Sequence, residues 1–103
     1  MKILASSDIP DALGLSIEDG GLLLGESQLG PDFFDLRTGL AGELFQKFTN
    51  YRAKLAIVIA DANSHGGRFG ELIFEHRTHP NVRFFTSEQL ARQWLSYNPV
   101  TRC

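Results

Sequence analysis

Apolar and polar positions change period several times along the chain. Ile3-Leu4-Ala5 is a short continuous apolar run, read as a buried strand over about residues 2–5. Ser7 or Asp8 then caps a helix that accepts Pro10 in its first turn, carries Leu13 and Ile17 on its inner face, and stops at Gly20 and Gly21. Leu22-Leu23-Leu24 is too brief for a helix and predicts a second strand over about residues 21–25, after which turn residues break the pattern up to Pro31. Phe33-Phe34-Asp35-Leu36 fits either an extended segment or one helical turn.

From residue 39 to about 49 the period is helical. Leu40, Ala41, Leu44, Phe45 and Phe48 share one face, with Glu43, Gln46 and Lys47 on the other. Leu55-Ala56-Ile57-Val58-Ile59 is continuous and β-branched, as a strand covered on both faces must be, and predicts a third strand over about 54–60. Phe69, Leu72, Ile73 and His76 mark a crossover helix that ends before Pro80, and Val82-Arg83-Phe84-Phe85 a fourth strand over about 82–86. Thr86 with Gln89 is a capping-box pattern for a last helix burying Leu90, Ala91, Trp94 and Leu95. Strand and helix thus alternate four times with short connections. The expected fold is α/β: four successive β-α units, with a parallel sheet flanked by helices.

Composition narrows the class. The chain has 103 residues, enough for one small domain but not two, and eight Phe supply a core. Residues 1–96 are read as that domain and 97–103 as a loose tail. Ten basic against twelve acidic residues give a formal charge of −2, so no broad positive field is available to hold nucleic acid. Arg52 and Lys54 are separated by an apolar residue and fit element ends better than a binding stripe. The single cysteine is Cys103, which suits a reducing compartment, and residues 1–5 are too short an apolar stretch for a signal peptide or a membrane span. A cytoplasmic protein without membrane attachment is expected.

In an open parallel sheet, ligands bind beyond the carboxyl ends of the strands. That face gathers the loop over residues 25–39 and the loop over 61–67. Asp61, Ser64 and His65 bring a carboxylate, a hydroxyl and an imidazole within five residues, which admits a nucleophile-base reading. Ser64 lacks a strained Gly-x-Ser-x-Gly setting, and Ser64 or Asn63 is equally explained as a helix cap, so no catalytic residue is assigned. His65, His76 and His79 do not form a metal pattern, and His76 and His79 fit positive charge at a helix end; neither a metal nor a cofactor is expected. Gly66-Gly67-Arg68-Phe69-Gly70 misses the dinucleotide-binding glycine spacing. Thr38-Gly39 reads as a cap or as a phosphorylatable hydroxyl, and the cap is favoured. Phe33-Phe34 reads as a partner-binding patch or as two rings pinning the loop to the core.

The residues from Asp32 to Leu44, with Gln46-Lys47-Phe48, Asn50-Tyr51-Arg52 and Lys54-Leu55-Ala56-Ile57-Val58, resemble the signature of a bacterial family known only as a domain of unknown function, DUF4180. The resemblance extends to Phe84-Phe85 and the final helix. That family in turn resembles, more distantly, the STAS fold of anti-sigma-factor antagonists and sulfate-transporter regulatory domains. The resemblance implies four β-α units and a non-enzymatic regulatory role exercised through a protein partner. In STAS antagonists a kinase phosphorylates the second Ser of Asp-Ser-Ser-Gly-Leu at a helix start. Thr38-Gly39-Leu40 lies at the matching place, with Arg37 where the first Ser stands and Leu36 where the Asp stands.

Two functional expectations follow. The first is a regulatory or protein-interaction module, with a homodimer compatible with it, using Phe33, Phe34, Asp35, Arg37, Thr38 and Gly39. The second is a sensor of a small anionic ligand, or an enzyme, built on Asp61, Ser64 and His65.

Overall fold

The computed structural model describes residues 2–61 and 64–96; the tail expected over 97–103, and Asn63 as a cap, lie outside them. Three parallel strands, β1 (Leu22–Gly25), β2 (Leu55–Val58) and β3 (Val82–Phe85), lie in the order β1-β2-β3. Leu24 pairs with Ile57 and Ile57 with Phe84, so β2 is central. The connections contain α1 (Ile9–Asp19) before β1, α2 (Pro31–Phe34) and α3 (Leu40–Asn50) between β1 and β2, α4 (Gly67–Glu75) between β2 and β3, and α5 (Glu88–Ser96) after β3.

The first of the four expected strands, over residues 2–5, does not form. Ile3 makes a single parallel bridge to Leu29: its N–H donates to the Gln28 carbonyl at 2.8 Å, and its carbonyl accepts from Gly30 at 3.0 Å. Three apolar residues carry too little buried surface to extend the pairing: Ile3 is buried, but Leu4 is 54% exposed. Asp8 Oδ2 then accepts from the Leu4 and Ala5 N–H groups and turns the chain into α1. Neither Ser7 nor Asp8 caps α1 through its side chain. The inner face of α1 is also shifted from expectation: Ile9, Ala12 and Ser16 are buried, while Ile17 is 59% exposed. Ser16 is tolerated inside because its hydroxyl donates to the Lys54 carbonyl at 2.8 Å, tying α1 to the start of β2.

α3 buries the five residues its period marks: Leu40, Ala41, Leu44, Phe45 and Phe48. Leu55 and Ile57 of β2, and Ile59 just beyond it, enter the same cluster, together with Leu24, Val82, Phe33 and Phe69. Ala56 faces the other way, where α5 crosses the sheet and buries Ala91. α5 begins one residue later than the capping-box pattern predicts, with the Leu90 N–H donating to Ser87 Oγ at 3.3 Å, and Leu90 is 49% exposed rather than buried.

Candidate functional site

The chain leaves β1 at Gly25, and the next side chain, Glu26, reaches across to the end of β2. Glu26 Oε1 accepts the Ala60 N–H at 3.2 Å, and Oε2 lies 2.7 Å from His65 Nε2. A carboxylate only accepts, so the imidazole directs an Nε2–H at Glu26. The His65 ring stacks on Phe34 with centroids 3.7 Å apart and planes 9° apart. Phe34 meets Phe33 and Phe69 edge-on, and Phe33 is wholly buried against Phe34, Phe45 and Phe69.

Pro31 opens the single turn of α2, and the chain continues into a 3-10 turn, Leu36–Thr38, so the segment that fitted either conformation is helical in two short pieces. Asp35 organises the second piece. Its Oδ1 accepts from the Arg37 backbone N–H at 3.1 Å and from Arg37 Nε at 3.0 Å, and Oδ2 accepts from Nη2 at 3.0 Å. Hydrogen bonds from the Arg37 side chain, and then from its backbone, hold the Asp35 carboxyl below its ordinary pKa. The Asp35 carboxylate in turn raises the Arg37 guanidinium. The pair is open to water, so it shapes the turn more than it stabilises the fold.

The Thr38 hydroxyl lies 2.7 Å from the Asp32 carbonyl and 2.9 Å from the Asp35 carbonyl, to which it donates, and it accepts from the Leu40 N–H at 3.2 Å. It thus satisfies the first N–H of α3 from outside the helix, while Gly39, at φ +76°, makes the left-handed link between turn and helix. Thr38→Ala is expected to cost about 1 kcal/mol in urea unfolding, and Thr38→Ser to stay near wild type. Equal stability of the Ala and Ser variants would remove the cap.

Between this turn and the start of α4 lies a groove of 630 Å³, lined among others by Phe34, Arg37, His65, Arg68 and Phe69. A more open depression of 740 Å³ lies beside Gly20 and Gly21, at the amino end of β1. Its charged pair, Glu88 with Arg92, is exposed and bonded within α5, so the strand-end groove is the better candidate.

The structure separates the residues singled out from sequence. Phe34, Asp35, Arg37 and His65 meet at the groove, and Thr38 and Gly39 sit behind it at the helix start. Phe33 is core and has no surface to offer a partner. Asp61, Ser64 and His65 do not assemble: Ser64 Oγ donates to the Asp61 carbonyl at 2.7 Å, and His65 turns to Glu26. Ser64 does not cap α4 either, since Gly66 holds that position without a side-chain bond. Glu26 was not among the sequence candidates, although its position directly after the apolar run of β1, on the ligand face, is the signal that marks it. Among the described residues, no three His, Cys, Asp or Glu side chains converge as metal ligands, and no helix is long and apolar enough to cross a membrane.

These features define a small mixed α/β domain with a parallel three-stranded sheet flanked by helices and a groove at the strand ends. The chain belongs to the DUF4180 family, a domain of unknown function, whose model matches residues 2–95. No curated protein and no solved structure matches it.

Proposed function

We propose that this domain is a regulatory or protein-interaction module of STAS-like kind, acting by contact in the bacterial cytoplasm and catalysing no reaction, with the turn over residues 35–38 and the start of α3 as its contact surface. The observation that carries the reading is the turn itself. Asp35 and Thr38 tie its backbone internally, while Leu36 is 37% exposed and the Arg37 side chain 91% exposed. A turn already fixed in shape loses little conformational freedom on docking, and an arginine beside an apolar side chain is a common anchor of protein interfaces. Thr38-Gly39-Leu40 at the mouth of α3 supports the likeness to STAS antagonists, where a hydroxyl at that point is the regulated group. The Ser64 hydroxyl donates to the Asp61 carbonyl, and among the described residues it is not paired with a base that would activate it.

Leu36→Asp and Arg37→Glu are expected to leave the fold unchanged and to abolish recovery of a protein partner, a second copy of the chain included, in crosslinking from bacterial cells. A partner recovered equally by wild type and both variants would overturn the contact surface.

A second reading keeps the groove for a small anionic molecule. His65, fixed by Glu26 and stacked on Phe34, favours it, with Arg37 and Arg68 on the walls. A compound that raises the Tm of wild type but not of His65→Ala, alongside no Leu36-dependent partner, would move the assignment there.

A further inference from the structure

His79 lies in the turn between α4 and β3, past the end of α4 whose start borders the groove, and its ring acts as an acceptor rather than as a charge. Its Nδ1 is 3.0 Å from Asn81 N and 3.1 Å from Val82 N. Both partners are N–H donors, so Nδ1 carries the lone pair and the neutral ring holds its hydrogen on Nε2. This corrects the expectation of a cationic histidine at a helix end. The two bonds close the turn onto the sheet. Val82 opens β3, the Asn81 carbonyl accepts from Leu55 of β2 at 2.8 Å, and Asn81 Nδ2 donates to the Ala53 carbonyl at 3.2 Å. The His79 carbonyl accepts from Arg83 Nε at 2.7 Å.

Every charged group facing this ring opposes a further proton. From the end of α4 comes His76, its ring centroid 5.1 Å from that of His79 and its Nδ1 bonded to the Leu72 carbonyl. From β3 comes Arg83, which also sits over Trp94 of α5, as Lys54 does from the approach to β2. Against His76 itself pack the uncharged rings of Phe45 from α3 and Phe84 from β3. Among the described residues, no carboxylate is in ion-pair reach of His76, His79 or Arg83. Burial first, and then His76 and Arg83, hold the His79 pKa below its ordinary 6.5. The two histidines are not a metal clip either: His79 has Nδ1 occupied by two backbone donors and its hydrogen on Nε2, leaving His76 alone with a lone pair to give.

We propose that His79 is a pH-sensitive latch on the turn between α4 and β3, closed while the ring is neutral and released when Nδ1 takes a proton and presents an N–H to the Asn81 and Val82 N–H groups. A depressed folded-state pKa means that the unfolded chain binds the proton first as pH falls. The stabilisation is therefore complete above the unfolded value near 6.5 and is lost as pH falls through the lower folded value.

A histidine-resolved NMR titration of the whole chain tests this. The expected result is the Nε2–H tautomer at neutral pH, a His79 midpoint below 6.5, and Asn81 and Val82 amide resonances that follow that midpoint. Their exchange, corrected for the intrinsic effect of pH, should rise about tenfold across it, as loss of a partly buried hydrogen bond implies. His79→Asn keeps an acceptor for the two amides without a titrating ring, so there the two resonances should stop following pH. An Nδ1–H tautomer, or Asn81 and Val82 amides indifferent to the His79 titration in wild type, would overturn the latch whatever the variant does.

Discussion

Ile57→Asp is expected to unfold the domain. Ile57 is wholly buried at the middle of the central strand, paired in register with Leu24 on one side and Phe84 on the other. Its cluster is made of apolar side chains from α1, α2, α3 and α4 as well as the three strands. A carboxylate there either stays ionised without a partner or takes up a proton and leaves a carboxylic acid without hydrogen bonds. Either choice costs several kcal/mol, against a total stability of about 5–15 kcal/mol for a domain of this size. Far-ultraviolet circular dichroism and urea titration provide the measure, with Ile57→Val as the control that should cost only about 0.5–1.5 kcal/mol. A cooperative transition for Ile57→Asp within that same range would mean that β2 is not the centre of the sheet.

The same residue explains why some elements are legible in the sequence and others are not. β2 and α3 are covered along their whole length, so apolar continuity in one and a helical stripe in the other report burial directly. The segment at Ile3 has the composition of a strand but buries one side chain, and a single bridge to Leu29 is all that such a length sustains. In α1 the buried face includes Ser16 and Ala12, residues a hydropathy stripe passes over; only the Lys54 carbonyl, 38 positions away, makes Ser16 an inward residue. The candidate site follows the same rule. The strand-end face could be reached from topology, and with it His65 and the turn around Arg37. The partner of His65 could not, because Glu26 lies 39 residues upstream, beyond any local spacing. His79 is the converse case: its partners are two and three residues away, but whether an imidazole accepts or carries charge depends on where the backbone N–H groups point, which the turn decides.

Phe33→Ala is the second substitution with a large expected effect, and it separates what holds the candidate surface from what the surface does. The Phe33 ring is wholly buried and lies edge-on to Phe34, Phe45 and Phe69, with centroids 5.3, 5.9 and 5.8 Å away. Those three rings belong to α2, α3 and α4, so Phe33 is the point where the loop after β1 is fastened to both flanking helices. Truncation to Ala removes that buried area and leaves a cavity that the neighbouring rings fill only in part, at a cost of about 3–5 kcal/mol. For a chain of this length each kcal/mol lowers Tm by about 4–8 °C, so the variant should melt far below wild type if it folds at all. Phe34→Ala removes a half-buried ring whose partner across the groove is His65, and it should cost less stability while freeing that imidazole. The pair is read by thermal unfolding together with the His65 ring-proton NMR shifts, which the stacked Phe34 ring displaces. The expected pattern is a large Tm loss for Phe33→Ala, and a small loss with displaced His65 ring-proton shifts for Phe34→Ala. Equal losses from the two variants would mean that the loop is held by Phe34 as much as by Phe33, and that the turn carrying Leu36 and Arg37 is less firmly seated than its packing indicates.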